Sequence, residues 1–453
     1  MDERFRPRVR RADPARIPAR RAKARFSLSL SLRARILAIL LFIVFFSFYF
    51  ELGTRLAATH AFERNELMFD SDVAIVIENL TRFRTDHTHC NVHPLFCVLF
   101  NPLGILLKGL VGSGAIASVL LVSTVGALTV SCACVYMALL GASSTIAGLW
   151  SIVLGLSASQ MFFAVAPETY SFAPIGFLAL CVVMLRRRDG VLTQSAAIAF
   201  VLGITATNVI PALLLALIPF AVRVRKASRV LIRAIALAGG ACALVLVPNL
   251  VQVVLFKTWP FFLPWAYTSK RAWMASFSGI GDVMFRLLSL VHAILMESFI
   301  APRLRLRRLG VDFSENVGPA LAGAIERGYV PTVTVSPEWI SGLTPIGIAA
   351  SVGWLGLLAW CAFRIVRGSG PRHPLVYGLA GALSFQFLTH TLFGRDLFLY
   401  SGHWTVLVWC LAGTAIAGVR DRKTTLVGVI LLAGLLALNN LRFLSDLRDV
   451  FTY

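Results

Sequence analysis

Long apolar segments alternate along this chain with short clusters of basic residues. Most of the apolar segments are about 17–25 residues long, the length at which an α-helix crosses a hydrocarbon slab of about 30 Å. Two shorter segments are interpreted as spans too, because the basic clusters on both sides of the pair then share one membrane face. The pattern predicts eleven transmembrane helices, at about 34–52, 114–139, 145–163, 168–185, 193–207, 209–222, 230–255, 342–363, 374–393, 404–419 and 424–440.

The composition supports a membrane protein. Of 453 residues, 57% are hydrophobic and 14% are charged, whereas about 25% are charged in an ordinary soluble domain. A soluble protein of this length would have too little polar surface to cover its core. The sequence therefore predicts an all-α polytopic membrane protein, in which residues 34–453 form a single transmembrane domain.

The formal net charge of +21 is concentrated between the apolar segments. Cytoplasmic loops are rich in Lys and Arg, so these clusters predict the topology. Residues 1–33 form a basic, disordered cytoplasmic tail that is attracted to anionic lipid head groups. RNA binding by this tail is disfavoured, because no aromatic residues interleave its arginines. We expect a multi-pass protein of the plasma (inner) membrane, with its C-terminus outside.

This topology leaves two long segments on the outer face, 53–113 and 257–340. Residues 95–111 contain Asn101-Pro102 and Lys108 and are predicted to form an interfacial helix rather than a span. Residues 280–300 are predicted to be amphipathic or re-entrant. The arginines at 303–308 form a basic cluster that the scheme places outside, where they need an anionic partner.

Acidic residues are scarce, so the pair Asp70 and Asp72 in the first outer segment is informative. The pair directly precedes a helical pattern that begins at Val73, so one interpretation is a helix N-cap. The other interpretation is a general base, since a partly desolvated carboxylate has a raised pKa and accepts a hydroxyl proton.

The order of three motifs resembles the GT-C superfamily of membrane glycosyltransferases. These are the acidic motif after the first span, His93-Pro94-Leu95-Phe96, and Pro167-Glu168-Thr169-Tyr170. The second motif is similar to an element of the protein O-mannosyltransferase and aminoarabinose transferase branches. The resemblance covers roughly residues 34–222; Asp70 is followed by Ser71 instead of an acidic neighbour, which leaves open the acceptor and which aspartate is the base.

The resemblance implies transfer of a sugar from a polyprenyl-phosphate donor to an acceptor hydroxyl on the non-cytoplasmic face. The transition state resembles an oxocarbenium ion that a carboxylate stabilises, and the lipid phosphate needs cationic partners. The donor-phosphate candidates are Arg395, Lys270, Arg271 and Arg303. The candidates for binding the acceptor or sugar are His93, Glu168, Tyr170 and His403. The partners would be the donor, membrane lipids and a glycan, lipid or protein acceptor, and no nucleic acid is expected.

The sequence gives a weaker signal for a bound metal than for the sugar transfer. His87, His89 and His93 could bind a divalent metal with Asp70 or Asp72, but solvated histidines are favoured and no metal site is assigned. Cys90 and Cys97 flank this region; a disulfide is conceivable, and two separate thiols are favoured.

The alternative function is a polyprenyl-linked sugar flippase or another non-enzymatic transporter. Transporters place ionisable residues inside their spans, near the bilayer midplane. Here the predicted spans are almost free of charge, and the acidic residues gather in an outer segment. The distribution favours an enzyme.

Overall fold

The computed structural model describes residues 30–186, 190–263, 274–275, 277–308, 311–316, 331–335, 341–367, 374–394, 396–419 and 422–452. Within these ranges the chain is mainly α-helical, as predicted. The helices are α1 (Leu32–Ala57), α2 (Val73–Thr81), α3 (Phe96–Val111), α4 (Gly114–Leu139), α5 (Ser144–Gly155), α6 (Ala158–Val165), α7 (Ala173–Leu185), α8 (Val191–Ile204), α9 (Val209–Val224), α10 (Ala227–Phe256), α11 (Ile280–His292), α12 (Pro345–Val366), α13 (Leu375–Leu392), α14 (Thr405–Ala417) and α15 (Arg422–Val450).

Several of these helices are long and apolar enough to cross a membrane. In the described part of the chain six helices meet this condition, in α1, α4, α9, α10, α12 and α15, and a seventh span results if the bent pair α5–α6 counts as one. The protein is therefore a polytopic helical membrane protein. Each predicted span except 145–163 coincides with one helix, but α7, α8 and α14 are shorter than a full crossing, so the count of eleven stays a prediction.

The span predicted at 145–163 is not a continuous helix. It consists of α5 and α6, which meet at an angle of 66°. The backbone carbonyl groups at the break find side-chain partners: the Ser157 hydroxyl donates to Leu154 O, and the Asn440 amide donates to Leu156 O at 2.7 Å. Since a break inside the membrane needs such partners, α15 stabilises the bend.

Helix α1 packs on α4 through one stripe of residues. Its buried positions include Ala38, Leu41, Phe45 and Tyr49, the three- and four-residue spacing of one helix face. The Tyr49 hydroxyl donates to Gly155 O at 2.7 Å. The opposite face of α1 exposes large apolar side chains such as Val44, as expected of a helix that contacts lipid.

The segment 53–113 contains the short helices α2 and α3, and its position on the outer face stays a prediction. Helix α3 contains Pro102 and corresponds to the predicted interfacial helix at 95–111. It packs against α2, and the Asn101 side chain donates to the backbone carbonyls of Asn79 and Arg82. These bonds cap the end of α2 and join the two helices.

The preference for separate thiols at Cys90 and Cys97 was wrong, since a disulfide joins them. The short 3-10 helix Thr88–Val92 reverses the chain before His93 and brings the two Cα atoms to 6.3 Å, within the range that a disulfide spans. The periodic pattern of the sequence did not reveal this turn.

The second outer segment is not wholly helical. Strands β1 (Leu304–Arg308), β2 (Val311–Asn316) and β3 (Pro331–Val335) form an antiparallel sheet with the order β2-β1-β3. The first outer segment joins this sheet, because Phe69 N donates to Val333 O at 2.7 Å and Val333 N donates to Leu67 O at 2.8 Å. The two outer segments therefore form one structure.

Gly104 on α3 should be essential for its contact with α2. A Cβ atom at Gly104 would overlap the backbone carbonyl of Leu80, which cannot move aside easily. We expect Gly104→Ala to destabilise the protein by about 1–3 kcal/mol, as overpacking does, measured as a lower apparent melting temperature in detergent. The control is Gly109→Ala on the same helix, where a Cβ atom meets nothing within 4 Å. Equal melting temperatures for the two variants would contradict the close contact.

Candidate functional site

The loop that carries Asp70 has an unusual backbone. Glu66, Phe69 and Asp70 all have positive φ angles, of 63°, 55° and 56°, which non-glycine residues seldom adopt. The loop is held by bonds from Glu66 N to Ser71 O and from Ser71 N to Met68 O. Such conformations cost free energy and concentrate at functional sites. The strain therefore marks this loop as a candidate site.

The Phe69 side chain anchors the strained loop in the protein. It is fully buried, and its ring lies against the rings of Phe162, Phe398 and Phe443 at centroid distances of 5.0, 4.8 and 5.9 Å. Burial of an aromatic side chain contributes enough free energy to offset the backbone cost. Helix α6, the turn before α14, and α15 thus fix the position of Asp70.

Asp72 stands at the N-cap position of α2, as the first interpretation expected, but its side chain makes no capping hydrogen bond. Its carboxylate is instead 3.4 Å from Nδ1 of His89 and is one-third exposed. The backbone N–H of Asp72 donates to Oε2 of Glu168 at 2.9 Å. A residue 96 positions away in sequence therefore fixes Asp72.

Glu168 is almost fully buried beside this loop. Its other carboxylate oxygen accepts hydrogen bonds from the backbone N–H and the hydroxyl of Thr169. Burial and the nearby charge of Asp72 raise the pKa of Glu168 to about 7, because both disfavour the ionised form. Glu168 can therefore exchange a proton near neutral pH.

A further carboxylate, Asp396, faces the same loop from the segment between α13 and α14. It accepts hydrogen bonds from the Thr334 hydroxyl at 2.8 Å and from Phe398 N at 2.9 Å. Burial and the charge of Asp70 raise the pKa of Asp396 to about 7. Four carboxylates from distant parts of the sequence thus gather near one place: Asp70, Asp72, Glu168 and Asp396.

A cavity of ≈ 380 Å³ lies near these carboxylates, within the range of about 300–1,000 Å³ typical of small-molecule sites. Tyr400 lines the cavity, whereas none of the four carboxylates does. The charges of Asp70, Asp72, Glu168 and Asp396 all raise the pKa of Tyr400, after the larger effect of burial. The polar and aromatic residues that line the cavity are His93, Tyr170, Thr205, Thr207, Thr389, His390, Phe393, Tyr400 and His403.

The histidines of this cavity have unused hydrogen-bonding capacity. Among the described residues, neither ring nitrogen of His403 and not the Nδ1 atom of His390 has a partner, although both rings are buried. Burial and the charge of His93 lower the pKa of His403 to about 3, so its imidazole is neutral and can both donate and accept. Buried polar groups normally have partners, so these atoms point to a polar ligand.

His93 connects the cavity to Glu168. Its Nδ1 atom contacts Ile204 O; because a carbonyl group only accepts, this nitrogen carries the proton. Its Nε2 atom is then an acceptor, 3.4 Å from the Thr169 hydroxyl, whose single proton goes either to Nε2 or to Glu168. The Pro94 carbonyl accepts from the Asn249 amide, which ties this motif to α10.

Arg286 binds the backbone of the segment that leads from α13 to Asp396. Its guanidinium group donates to the backbone carbonyls of His390, Phe393 and Gly394 at 2.6–3.1 Å. These are carbonyls that the end of α13 leaves without helical partners. Helix α11 thereby holds His390 and the loop before Asp396 in place.

The structure brings together most of the residues that the sequence indicated. His93, Tyr170 and His403 line the cavity, and the ring centroids of Tyr170 and His403 are 4.8 Å apart. Arg303 is exposed just before β1, with its backbone N–H bonded to Gly342 O, and does not line the cavity. Three donor-phosphate candidates lie outside the described residues: Lys270, Arg271 and Arg395.

Sequence reasoning left three residues out of the site: His390, Asp396 and Tyr400. A signal existed for His390, because it is an ionisable residue within an apolar segment, where such residues usually serve a function. The approach of Asp396 and Tyr400 to Asp70 depends on tertiary contacts.

The three histidines considered as metal ligands do not converge. His87 points away from the cavity, with Nδ1 at 2.7 Å from the Asn79 side-chain oxygen, while His89 and His93 face Asp72 and Ile204. In the described ranges, the group of side chains close enough to share a metal ion is His87, Cys90 and Cys97, whose sulfurs form the disulfide. The residues therefore do not fit the metal site considered from the sequence.

The fold and the site define a polytopic helical membrane protein with a cavity near a carboxylate cluster. No protein-family model matches the chain, and no curated protein and no solved structure shows significant similarity to it.

Asp396 should make stability depend on pH. Its folded-state pKa of about 7 lies above its ordinary value of 3.8, so between these values the folded protein binds more protons than the unfolded chain. The contribution of Asp396 to the free energy of unfolding is fully present at the acid end of this range, and it is lost as the pH rises through about 7. Asp396→Asn can keep both hydrogen bonds, because its amide can donate to Thr334.

We therefore expect the apparent melting temperature of Asp396→Asn to fall less between pH 4 and 7 than that of the wild type. The control is Asp86→Asn, an exposed residue of the first outer segment, which should follow the wild-type curve. A wild-type slope in Asp396→Asn would show that this carboxylate titrates normally.

Proposed function

We propose that this protein is an integral-membrane glycosyltransferase of the GT-C type. It moves a sugar from a polyprenyl-phosphate donor to an acceptor hydroxyl on the non-cytoplasmic face, with Asp70 or Asp72 as the general base. The observation that carries the proposal is the strained Asp70–Asp72 loop near a cavity in which Nδ1 of His390 and both ring nitrogens of His403 have no hydrogen-bond partner among the described residues. The acceptor is a glycan, a lipid or a protein.

The chemistry of the transfer suits these groups. A carboxylate that accepts the proton of the attacking hydroxyl also faces the positive charge that develops on the sugar ring. Asp72 is partly exposed, so an acceptor can reach it, whereas Glu168 is buried and positions its backbone. His403 and Tyr170 provide hydrogen-bond donors, acceptors and aromatic faces suited to a sugar ring.

The leaving lipid phosphate needs cations rather than a proton. Arg395, Lys270, Arg271 and Arg303 are the candidates from the sequence. Arg305 joins them, because it pairs with Thr334 across β1 and β3, and paired residues of adjacent strands share one face of a sheet. Thr334 donates to Asp396, so Arg305 belongs to the same part of the outer structure.

The proposed topology has eleven spans, with the N-terminus in the cytoplasm and the active site on the outer face. The two outer segments bond to each other through Phe69 and Val333, which is consistent with one common side. Residues 66–93 should therefore react with an impermeant label added from outside. If these residues were labelled only from the cytosol, the polyprenyl-phosphate donor on the outer face could not reach them, and the proposal would be wrong.

Replacing both aspartates should abolish the transfer. We expect Asp70→Asn with Asp72→Asn to lower the rate by about 10²–10⁴-fold, the usual contribution of a general base, because Asn cannot accept the proton. The measurement is sugar transfer by purified protein in proteoliposomes, with melting temperature and insertion checked in parallel. The matched control, Asp86→Asn, changes an exposed aspartate of the same segment and should keep full activity; full activity in the double variant would refute the assignment.

The alternative is a flippase for polyprenyl-linked sugars, and the fate of the donor distinguishes the two functions. An enzyme cleaves the bond between the sugar and the phosphate, whereas a flippase moves the intact lipid. We expect purified protein incubated with a polyprenyl-phosphate sugar and a candidate acceptor to release polyprenyl phosphate, detected by mass spectrometry. Movement of a fluorescent donor across vesicles without release, across a panel of acceptors, would instead establish the transporter.

A further inference from the structure

A second, larger groove lies away from the carboxylate cluster. It has a volume of ≈ 980 Å³ and runs between the C-terminal half of α12 and the N-terminal half of α15. Its walls are apolar, with Leu357, Leu432 and Leu435 among them, and Arg364 and Thr424 lie at one end. The groove therefore combines a long apolar channel with a polar, basic mouth.

The length of the groove matches one leaflet of a membrane. Along α12 it extends from Gly353 to Arg364, which is 12 residues, or about 16 Å between the first and last at the helical rise. On α15 it extends from Thr424 to Leu435, again 12 residues. Half of a hydrocarbon core is about 15 Å thick, so a chain that begins at the mouth ends near the midplane.

The charge at the mouth selects for an anion. The Arg364 guanidinium donates to Gly418 O at 3.0 Å and lies 5.1 Å from the ring centroid of Trp360, so its position is fixed. Arg367 and Lys423 are exposed at the same end of the two helices. Basic pockets between transmembrane helices bind anionic lipid head groups, and arginine suits phosphate in particular.

We propose that this groove binds one anionic glycerophospholipid, with its phosphate at Arg364 and an acyl chain between α12 and α15. The site is separate from the cavity and does not depend on the glycosyltransferase proposal. The protein's own Arg-rich tail does not fit as the occupant, because the mouth is already positive. A second copy of the chain would bring the same positive mouth.

Two glycines allow the groove to be filled without disturbing the helices. A Cβ atom at Gly353 or Gly428, which line it, meets nothing within 4 Å, so a larger side chain enters the open space. Gly356 on α12 and Gly434 on α15 also have open space but do not belong to the lining described for the groove. They provide matched controls on the same two helices.

The experiment measures lipid binding to the full-length, delipidated protein by native mass spectrometry, with dioleoyl phosphatidylglycerol and dioleoyl phosphatidylcholine as probes. We expect one phosphatidylglycerol to bind the wild type at least about tenfold more tightly than phosphatidylcholine. Gly428→Leu and Gly353→Leu should lose this binding, whereas Gly434→Leu and Gly356→Leu keep it. Arg364→Ala should lose the preference for the anionic lipid, and Arg364→Lys should retain part of it.

A second measurement leaves the open space of the groove unfilled. Brominated phosphatidylglycerol should quench Trp360 more than brominated phosphatidylcholine does, a difference that disappears in Trp360→Phe. Equal binding of the two lipids, wild-type binding by both groove-filling variants, or no Trp360-dependent quenching would overturn the proposal. A dimer that Gly428→Leu converts to a monomer would assign the groove to a second copy and would also overturn it.

Discussion

The pairing of the first outer segment with strand β3 is the interaction on which the candidate site depends. Two backbone hydrogen bonds join Leu67 and Phe69 to Val333, and the buried ring of Phe69 fixes the same stretch from the other side. Because the next residue, Asp70, has a left-handed backbone, its direction is determined by these anchors. Without them, the cost of the strained conformation would favour a relaxed loop.

The four carboxyl groups can lie close together because two of them can be protonated and are hydrogen-bonded. Glu168 and Asp396 are buried, and their raised pKa values let them carry a proton when the neighbouring aspartates are ionised. Each also accepts two or more hydrogen bonds from the chain. Glu168 and Asp396 can therefore hold and release protons near neutral pH, close to a cavity where ring nitrogens of His390 and His403 have no partner among the described residues.

The membrane-spanning helices and the segments between them differ in how they satisfy their polar groups. The spans present apolar faces to lipid, as the exposed side of α1 does, and the polar groups at a break such as α5–α6 are satisfied internally by Asn440. The described parts of segments 53–113 and 257–340 carry strands, short helices and a disulfide. Asp70 and Asp72 come from the first of these segments, Glu168 and Asp396 come from connections between helices, and His390 belongs to the last turn of α13.

The sequence by itself determined the helical membrane class and the positions of the long apolar helices, because a hydrocarbon slab demands a fixed length of apolar helix. The candidates His93, Glu168, Tyr170 and His403 were proposed with the resemblance to the GT-C superfamily rather than from a periodic pattern. Only the tertiary structure decided that Asp396 and Tyr400 join Asp70, that Cys90 bonds to Cys97, and that β3 meets the first outer segment. Chain reversals and side-chain packing determine these contacts, and neither leaves a periodic signal in the sequence.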